Sequence, residues 1–244
     1  MYIHVRNITR RYRKTVALQA FDWDIRIDHD TIHGLIGPNG AGKTTILKIL
    51  SGIYTYEAGD ITVDGIEPPY DVWARDHVAF LAAGDRGIRY RNSVADNVRY
   101  FGALKAVDPE ITQTLLDRYG TLLKMDALLD RDVGTLSTGE KKKAMLLMAL
   151  ASGSRIIIMD EPSDGLDISA KVDLQHIIKM IADQTETCFI ISTHDIDFIS
   201  DLANHYTFIS KGSIAYEHDG AMVLEAIRTK FLAINRVFDD DETP

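Results

Sequence analysis

The chain has 244 residues, with 27 Lys and Arg against 36 Asp and Glu, a formal net charge of −9, and hydrophobic and charged fractions of 45% and 26%. Such fractions build a core and exclude the disordered class, and the acidic balance argues against a nucleic-acid binder, whose surface has to neutralise phosphates. The longest apolar run, Ala144–Ala151, is far short of the roughly 20 residues a membrane-spanning helix needs, residues 1–15 lack the apolar stretch of a secretory leader, and a lone Cys188 supports neither an internal disulfide nor a thiolate metal cluster, so a reducing compartment is expected.

In chain order, Phe21, Trp23, Ile25 and Ile27 alternate with Asp22, Asp24, Arg26 and Asp28, the period of a strand with one buried face. An antiparallel β layer is expected to open the fold. Thr31–Ile36 reads as a buried strand that runs into GPNGAGKTT, and Ile46, Leu47, Ile49 and Leu50 then take helical spacing. Residues 60–82 hold short β-like stretches around Asp64-Gly65 and Val78–Leu81, and 94–151 is patterned as helices. Further on come a strand at Arg155–Asp160, a helix over Ser169–Ile181, a strand at Thr187–Ser192, a short helix near Ile196–Leu202, strands at Tyr206–Ser210 and Ser213–Glu217, an amphipathic helix over Ala221–Asn235 and a frayed acidic tail, DDDETP. Buried strands alternating with helices indicate a parallel sheet covered on both faces.

Gly37-x-x-x-x-Gly42-Lys43-Thr44 fits the phosphate-loop pattern and sits between a strand and a helix, as its mechanism requires. Residues Gly37, Pro38, Asn39, Gly40, Ala41, Gly42, Lys43, Thr44 and Thr45 are the candidate nucleotide cradle. Glycine lets backbone N–H groups wrap phosphates at a helix N-terminus, Lys43 adds a point charge, and Thr44 offers a hydroxyl to Mg²⁺. Such a site also needs an acid at the end of a neighbouring strand. In IIIMDEP, Asp160 emerges from a buried strand as the magnesium partner, and Glu161 follows as the group that orients or deprotonates the attacking water. An Asp-Glu pair alone is commonly a surface turn; the phosphate loop is what gives this one a role.

With these motifs in place, nearly the whole chain resembles the ATP-binding cassette (ABC) family, in an exporter-like, ABC-2 type form. GPNGAGKT is similar to the Walker A motif, Leu136–Glu140 (LSTGE) to the signature, IIIMDE to the Walker B, Ser163–Asp167 (SDGLD) to the D-loop with Asp167, and Ser192–Asp195 (STHD) to the switch loop, which puts His194 on the γ-phosphate. Tyr12 resembles the aromatic that stacks on adenine, though an isolated tyrosine could equally pack on the β layer. The resemblance implies an α/β fold: a P-loop NTPase core with a mixed or parallel sheet, an N-terminal antiparallel β layer and an inserted helical subdomain. Residues 1–82 and 152–218 would form the core, 83–151 the insertion, and 219–244 the terminal helix and tail. It also implies ATP and Mg²⁺ as ligands, a homodimer or heterodimer of cassettes, a transmembrane permease as partner, and a peripheral place on the cytoplasmic side of the membrane. In such a dimer Ser137, Thr138, Gly139 and Glu140 face the partner's nucleotide.

Read from the residues alone, Ser137-x-x-Glu140 is a capping box that starts a helix. The family form is LSGGQ; Thr138 and Glu140 depart from it, and a carboxylate beside a phosphate is unfavourable unless its charge is tied up. A second departure follows Val78–Leu81, where the family's glutamine is missing: no Gln occurs between Gln19 and Gln113. Asp85 is a candidate replacement, and Arg86, Arg89 and Arg91 suit either a partner contact or a solvated basic loop. The segment NSVADNVRYFGALK is similar to the helical lobes of multidrug, lipid, polysaccharide and peptide exporters. The expected function is a transport ATPase; the alternatives are a non-transport cassette of the iron–sulfur assembly type, and a cassette that binds ATP without turnover.

Overall fold

Two sheets are built from strands whose apolar residues alternate in two different ways. The computed structural model describes residues 1–13, 15–66 and 69–239. Strand β1 (Tyr2–Tyr12) pairs antiparallel with β2 (Thr15–Arg26), and on its other edge with β4 (Ala58–Val63), giving a three-stranded layer. Its buried face carries Ile3, Val5 and Ile8 from β1 and Leu18, Phe21, Trp23 and Ile25 from β2. The expected alternation from Phe21 is present, but β2 starts earlier, at Thr15, and β1 has no counterpart among the expected strands. Asn7 (φ 53°) and Ala20 (φ 45°) adopt left-handed conformations, and the β1–β2 register shifts between Val5 and Ile8 and again between Ile8 and Arg10, which breaks the period-two signal in the sequence. Asp64-Gly65 is the turn after β4 rather than strand, with Gly65 at φ 70°.

The second sheet has the order β5-β6-β7-β3-β8-β9, from β3 (Ile32–Ile36), β5 (Val78–Leu81), β6 (Ile156–Asp160), β7 (Cys188–Thr193), β8 (His205–Ser210) and β9 (Ser213–Asp219). All neighbours are parallel except β8 and β9. Alternate residues of the central strands enter two different cores. Ile36, Ile157, Met159, Phe189 and Ile191 face one, and Leu35, Ile156, Ile158, Cys188 and Ile190 face the other. That explains strands with no polar face: both sides are covered. Each fully buried Ile or Phe contributes roughly 1.5–3 kcal/mol.

Helices α1 (Lys43–Leu50) and α2 (Tyr70–His77) lie on the side of the antiparallel layer, sharing its core through Ile46, Leu47, Tyr70 and Trp73. Only Tyr70, Trp73 and Ala74 of α2 are buried, too few apolar positions to give a helical period, so α2 has no counterpart among the expected helices. On the opposite side α3 (Val94–Leu104), α4 (Pro109–Leu122) and α5 (Thr138–Ala151) pack on one another, followed by α6 (Ile168–Gln184), α7 (Ile196–Ser200) and α8 (Leu224–Asp239). Every residue of Ala144–Ala151 is buried, which accounts for the long apolar run: α5 is covered all round rather than amphipathic. α8 begins at Leu224, three residues after the expected start, and buries Ile227. The acidic tail beyond Asp239 lies outside the described residues.

Candidate functional site

The strand order places β3 beside β7 and β7 beside β6, so their C-terminal ends converge on one edge of the sheet. Ligands bind at that edge in parallel sheets. The chain leaves β3 at Ile36 and turns through Gly37–Gly42 into α1. Gly42 is the N-cap, at φ 107°, and a Cβ there would fall 2.7 Å from the Ala17 carbonyl oxygen. Only glycine fits, and having no side chain it cannot cap the helix, so the first-turn N–H groups stay available to an anion. Ala41 is buried, and Asn39, Gly40 and Thr44 are exposed. Lys43 is 6% exposed, and its Nζ donates to Gly37 O at 2.6 Å and Pro38 O at 3.2 Å.

Asp160, at the end of β6, accepts from the Thr44 hydroxyl at 2.8 Å and from the Ser192 hydroxyl at 2.6 Å. Hydroxyl and carboxylate oxygens in contact are the hard donors that Mg²⁺ takes, so Thr44 and Asp160 fit that ion. Glu161 follows in a left-handed conformation, φ 47°, which costs a non-glycine residue about 1–2 kcal/mol. Its N–H donates to Ser192 O at 3.0 Å, which holds the turn. The conformation aims the carboxylate between the Lys43 ammonium and the His194 ring: Oε1 lies 3.1 Å from Lys43 Nζ, and Oε2 lies 2.9 Å from His194 Nδ1 and accepts the His194 N–H at 3.2 Å. His194 keeps about half its side chain exposed, at 48%. Glu161, Asp164 and His194 also form a group whose potential ligand atoms all lie within 4.8 Å of one another.

The expected capping box is present in both directions. The Ser137 hydroxyl accepts the Glu140 N–H at 3.3 Å, and Glu140 Oε2 accepts the Ser137 N–H at 2.7 Å. Bonding to the Ser137 backbone, ahead of its side chain, holds the Glu140 carboxyl below the usual range. Its negative charge is therefore tied to the backbone of its own helix. Asp167 caps α6, accepting the Ala170 N–H at 2.8 Å, and with Ser137, Gly139 and Glu140 it lines an open cleft of about 210 Å³. Thr138 opens α5. Among the described residues, none of Ser137–Glu140 bonds to the phosphate loop of the same chain. The two halves of the candidate site are thus separate surfaces of one chain.

Tyr12 ends β1 and is 39% exposed, its ring edge-on to Tyr54 with centroids 6.2 Å apart, and with the Arg10 guanidinium 5.2 Å from its centroid. Asp85 points elsewhere than the phosphate loop: Lys141 lies 3.7 Å away, and bonding to the Tyr90 hydroxyl lowers its pKa. The basic loop is not freely solvated throughout. Fully buried Asn97 donates to Arg89 O at 3.0 Å and accepts the Arg89 N–H at 2.8 Å, and the Arg89 guanidinium stacks on Tyr100 at 3.6 Å. Sequence reasoning missed three residues here: Ser192 as the holder of Asp160, Asn97 as the clamp of the loop, and Lys142. Ser192, a polar residue closing the apolar run Cys188–Ile191, carried a signal; Asn97 and Lys142, each beside a charged residue, carried none.

A family model described as ABC transporter matches residues 21–164. The SkfA peptide export ATP-binding protein SkfE of Bacillus subtilis is 29% identical over 218 residues, which cover 87% of each chain. The sulfate/thiosulfate import ATP-binding protein CysA of Rhodopseudomonas palustris is 30% identical over 220 residues, 88% of this chain and 62% of the relative. Among solved structures, cbiO1 from Clostridium perfringens, described as part of the ABC transporter complex cbiONQ, is similar in fold, with a TM-score of 0.81, 22% identity, and coverage of 96% of this chain and 93% of that one.

Proposed function

We propose, for a chain that belongs to the ABC transporter family of ATPases, that it is the ATP-hydrolysing subunit of a transporter whose membrane-spanning part is a separate polypeptide. The observation that carries this reading is the Glu161 carboxylate, held between Lys43 and His194 and next to the Thr44–Asp160 pair. Among the described residues no helix is long and apolar enough to cross a membrane.

ATP enters with its phosphates against the N-terminus of α1 and the loop Gly37–Thr45. Lys43 leaves the Gly37 and Pro38 carbonyls and turns its ammonium to the phosphate oxygens, a stronger charge-assisted bond. Thr44, and Asp160 through water, would hold Mg²⁺, whose charge would offset that of the phosphates. Glu161 accepts the proton of the attacking water, and His194 donates toward the γ-phosphate while keeping Glu161 in register. Tyr12 offers its exposed face to adenine. Ser137, Thr138 and Gly139, at the N-terminus of α5, complete the site of a second cassette, with Asp167 beside them. The absence of any bond from this segment to its own phosphate loop supports that division, and so does a Glu140 whose charge is already engaged. The 83–151 segment is the helical insertion that carries this surface.

Relatives named for peptide export and for sulfate import both match. Export is the direction proposed here, because Asn92–Lys105 resembles exporter lobes. The partners are a permease and a second cassette, identical or different, on the cytoplasmic face of the membrane. The test is Mg²⁺-dependent ATP hydrolysis by the purified chain, together with identification of the membrane protein recovered with it from detergent-solubilised membranes. Absence of hydrolysis, or recovery only with soluble assembly factors, refutes the reading.

A further inference from the structure

Helix α5 carries three consecutive lysines, Lys141–Lys143, that are treated very differently. Lys141 and Lys143 make long surface pairs, each at 3.7 Å, with Asp85 and Asp173. Lys142 is 5% exposed, and its Nζ donates to the Gly84 carbonyl at 2.9 Å. Burial lowers the pKa of this ammonium, and the carboxylates of Asp164, Asp85 and Asp160 oppose that effect. Lys142 and Asp160 also line one small cavity, bounded further by Leu81, Ala82, Met145 and Pro162. Its volume of about 10 Å³ is at the lower limit for a single water.

A lysine is a costly residue for this position. Burying an ammonium costs several kcal/mol before compensation, and the early turns of a helix disfavour positive charge. A methionine or glutamine would fill the space at lower cost. What the ammonium adds is a fixed link between the loop that leaves β5 and the head of α5, with its charge in a cavity that the acid-bearing end of β6 also lines. That loop is also the one in which no glutamine is available to reach the site.

Resting on the ATPase reading above, we propose that Lys142 is a positioning residue for hydrolysis. It ties the backbone of the loop at Gly84 to the head of α5 and sets its charge in the cavity that Asp160 also lines, and so fixes the loop and biases the electrostatic potential at the magnesium site. Its positive charge offsets part of the carboxylate field, which makes the site weaker for a cation than it would otherwise be, and any added positive charge there presses on Lys142 and through it on Gly84.

The experiment compares Lys142→Met, Lys142→Gln and Lys142→Arg in the full chain, with Glu161→Gln as the inactive control. Three quantities are read: kcat and KM for ATP, the Mg²⁺ concentration that half-saturates equilibrium ATP binding, and hydrogen exchange of the 82–88 amides without nucleotide. In Lys142→Met and Lys142→Gln the Mg²⁺ midpoint falls roughly tenfold, the effect of removing one like charge from a partly buried site. In both, kcat drops while KM stays within about twofold, and exchange at 82–88 rises. Lys142→Arg keeps the parental Mg²⁺ midpoint. Parental kcat and Mg²⁺ midpoint in both neutral variants overturn the proposal, and so does a Lys142→Arg protein that behaves as Lys142→Met does, since packing alone would then explain the loss. A parent chain without ATPase activity overturns the function itself; an active parent with unaffected Lys142 variants overturns this inference alone.

Discussion

Replacing Glu161 by Gln removes one negative charge from between Lys43 and His194 and leaves the shape of the side chain intact. Both contacts are short, 3.1 Å and 2.9 Å, and the carboxylate is 11% exposed, so solvent screens them little. Each loses its charge assistance, about 1 kcal/mol apiece, because a bond to an ionised group is stronger than a neutral one by about that amount. Lys43 keeps its bonds to Gly37 and Pro38, so no cation is left without partners. The nucleotide-free variant is therefore expected to melt roughly 4–8 °C below the parent, about 2 kcal/mol for a chain of this length. Turnover falls much further, by about 10²–10⁴, since the proton of the attacking water has lost its acceptor. ATP still binds, and without turnover the ATP-bound dimer persists. Scanning calorimetry without nucleotide, phosphate release under saturating ATP and Mg²⁺, and gel filtration with ATP read the three effects separately. A variant that hydrolyses ATP at the parental rate refutes the role of Glu161, whatever its melting temperature.

Lys43→Ala is expected to weaken nucleotide binding roughly ten- to hundredfold, the worth of one charge-assisted contact, and an unchanged Kd in equilibrium titration contradicts the phosphate-loop reading. Ser137→Ala removes the acceptor of the Glu140 N–H and costs about 1 kcal/mol, seen as a lower melting temperature; an unchanged one would mean that the capping box does not hold α5. Buried His33 has its pKa driven down by desolvation to about 4, from the 6.5 of a freely solvated imidazole. Between those values the unfolded chain binds a proton that the folded chain excludes, so stability is intact above pH 6.5 and falls by about 3 kcal/mol as the pH drops toward 4. In urea titrations at several pH values His33→Gln should show a shallower pH slope than the parent, and equal slopes would refute this assignment.

What was legible in the sequence is what a contiguous stretch must satisfy locally. Gly42 is required by a left-handed turn, Ser137 and Glu140 by the loose end of a helix, and Ile156–Met159 by a strand with both faces covered. These demands act within a few residues, so they leave patterns of spacing. Strand β1 escaped because bulges at its centre break its period, and α2 because only Tyr70, Trp73 and Ala74 of its residues are buried, too few to mark one. Proximity across the sheet leaves no such trace. Thr44 and Asp160 stand 116 residues apart and are joined only by the order β6-β7-β3. The Lys43–Glu161–His194 arrangement depends on the left-handed backbone at Glu161, a residue whose type gives no hint of it. Lys142 is the clearest case. In sequence it is one of three equal lysines; burial beside Gly84 and Asp160 alone distinguishes it from its neighbours, because the environment of a charge is set by every element packed around it.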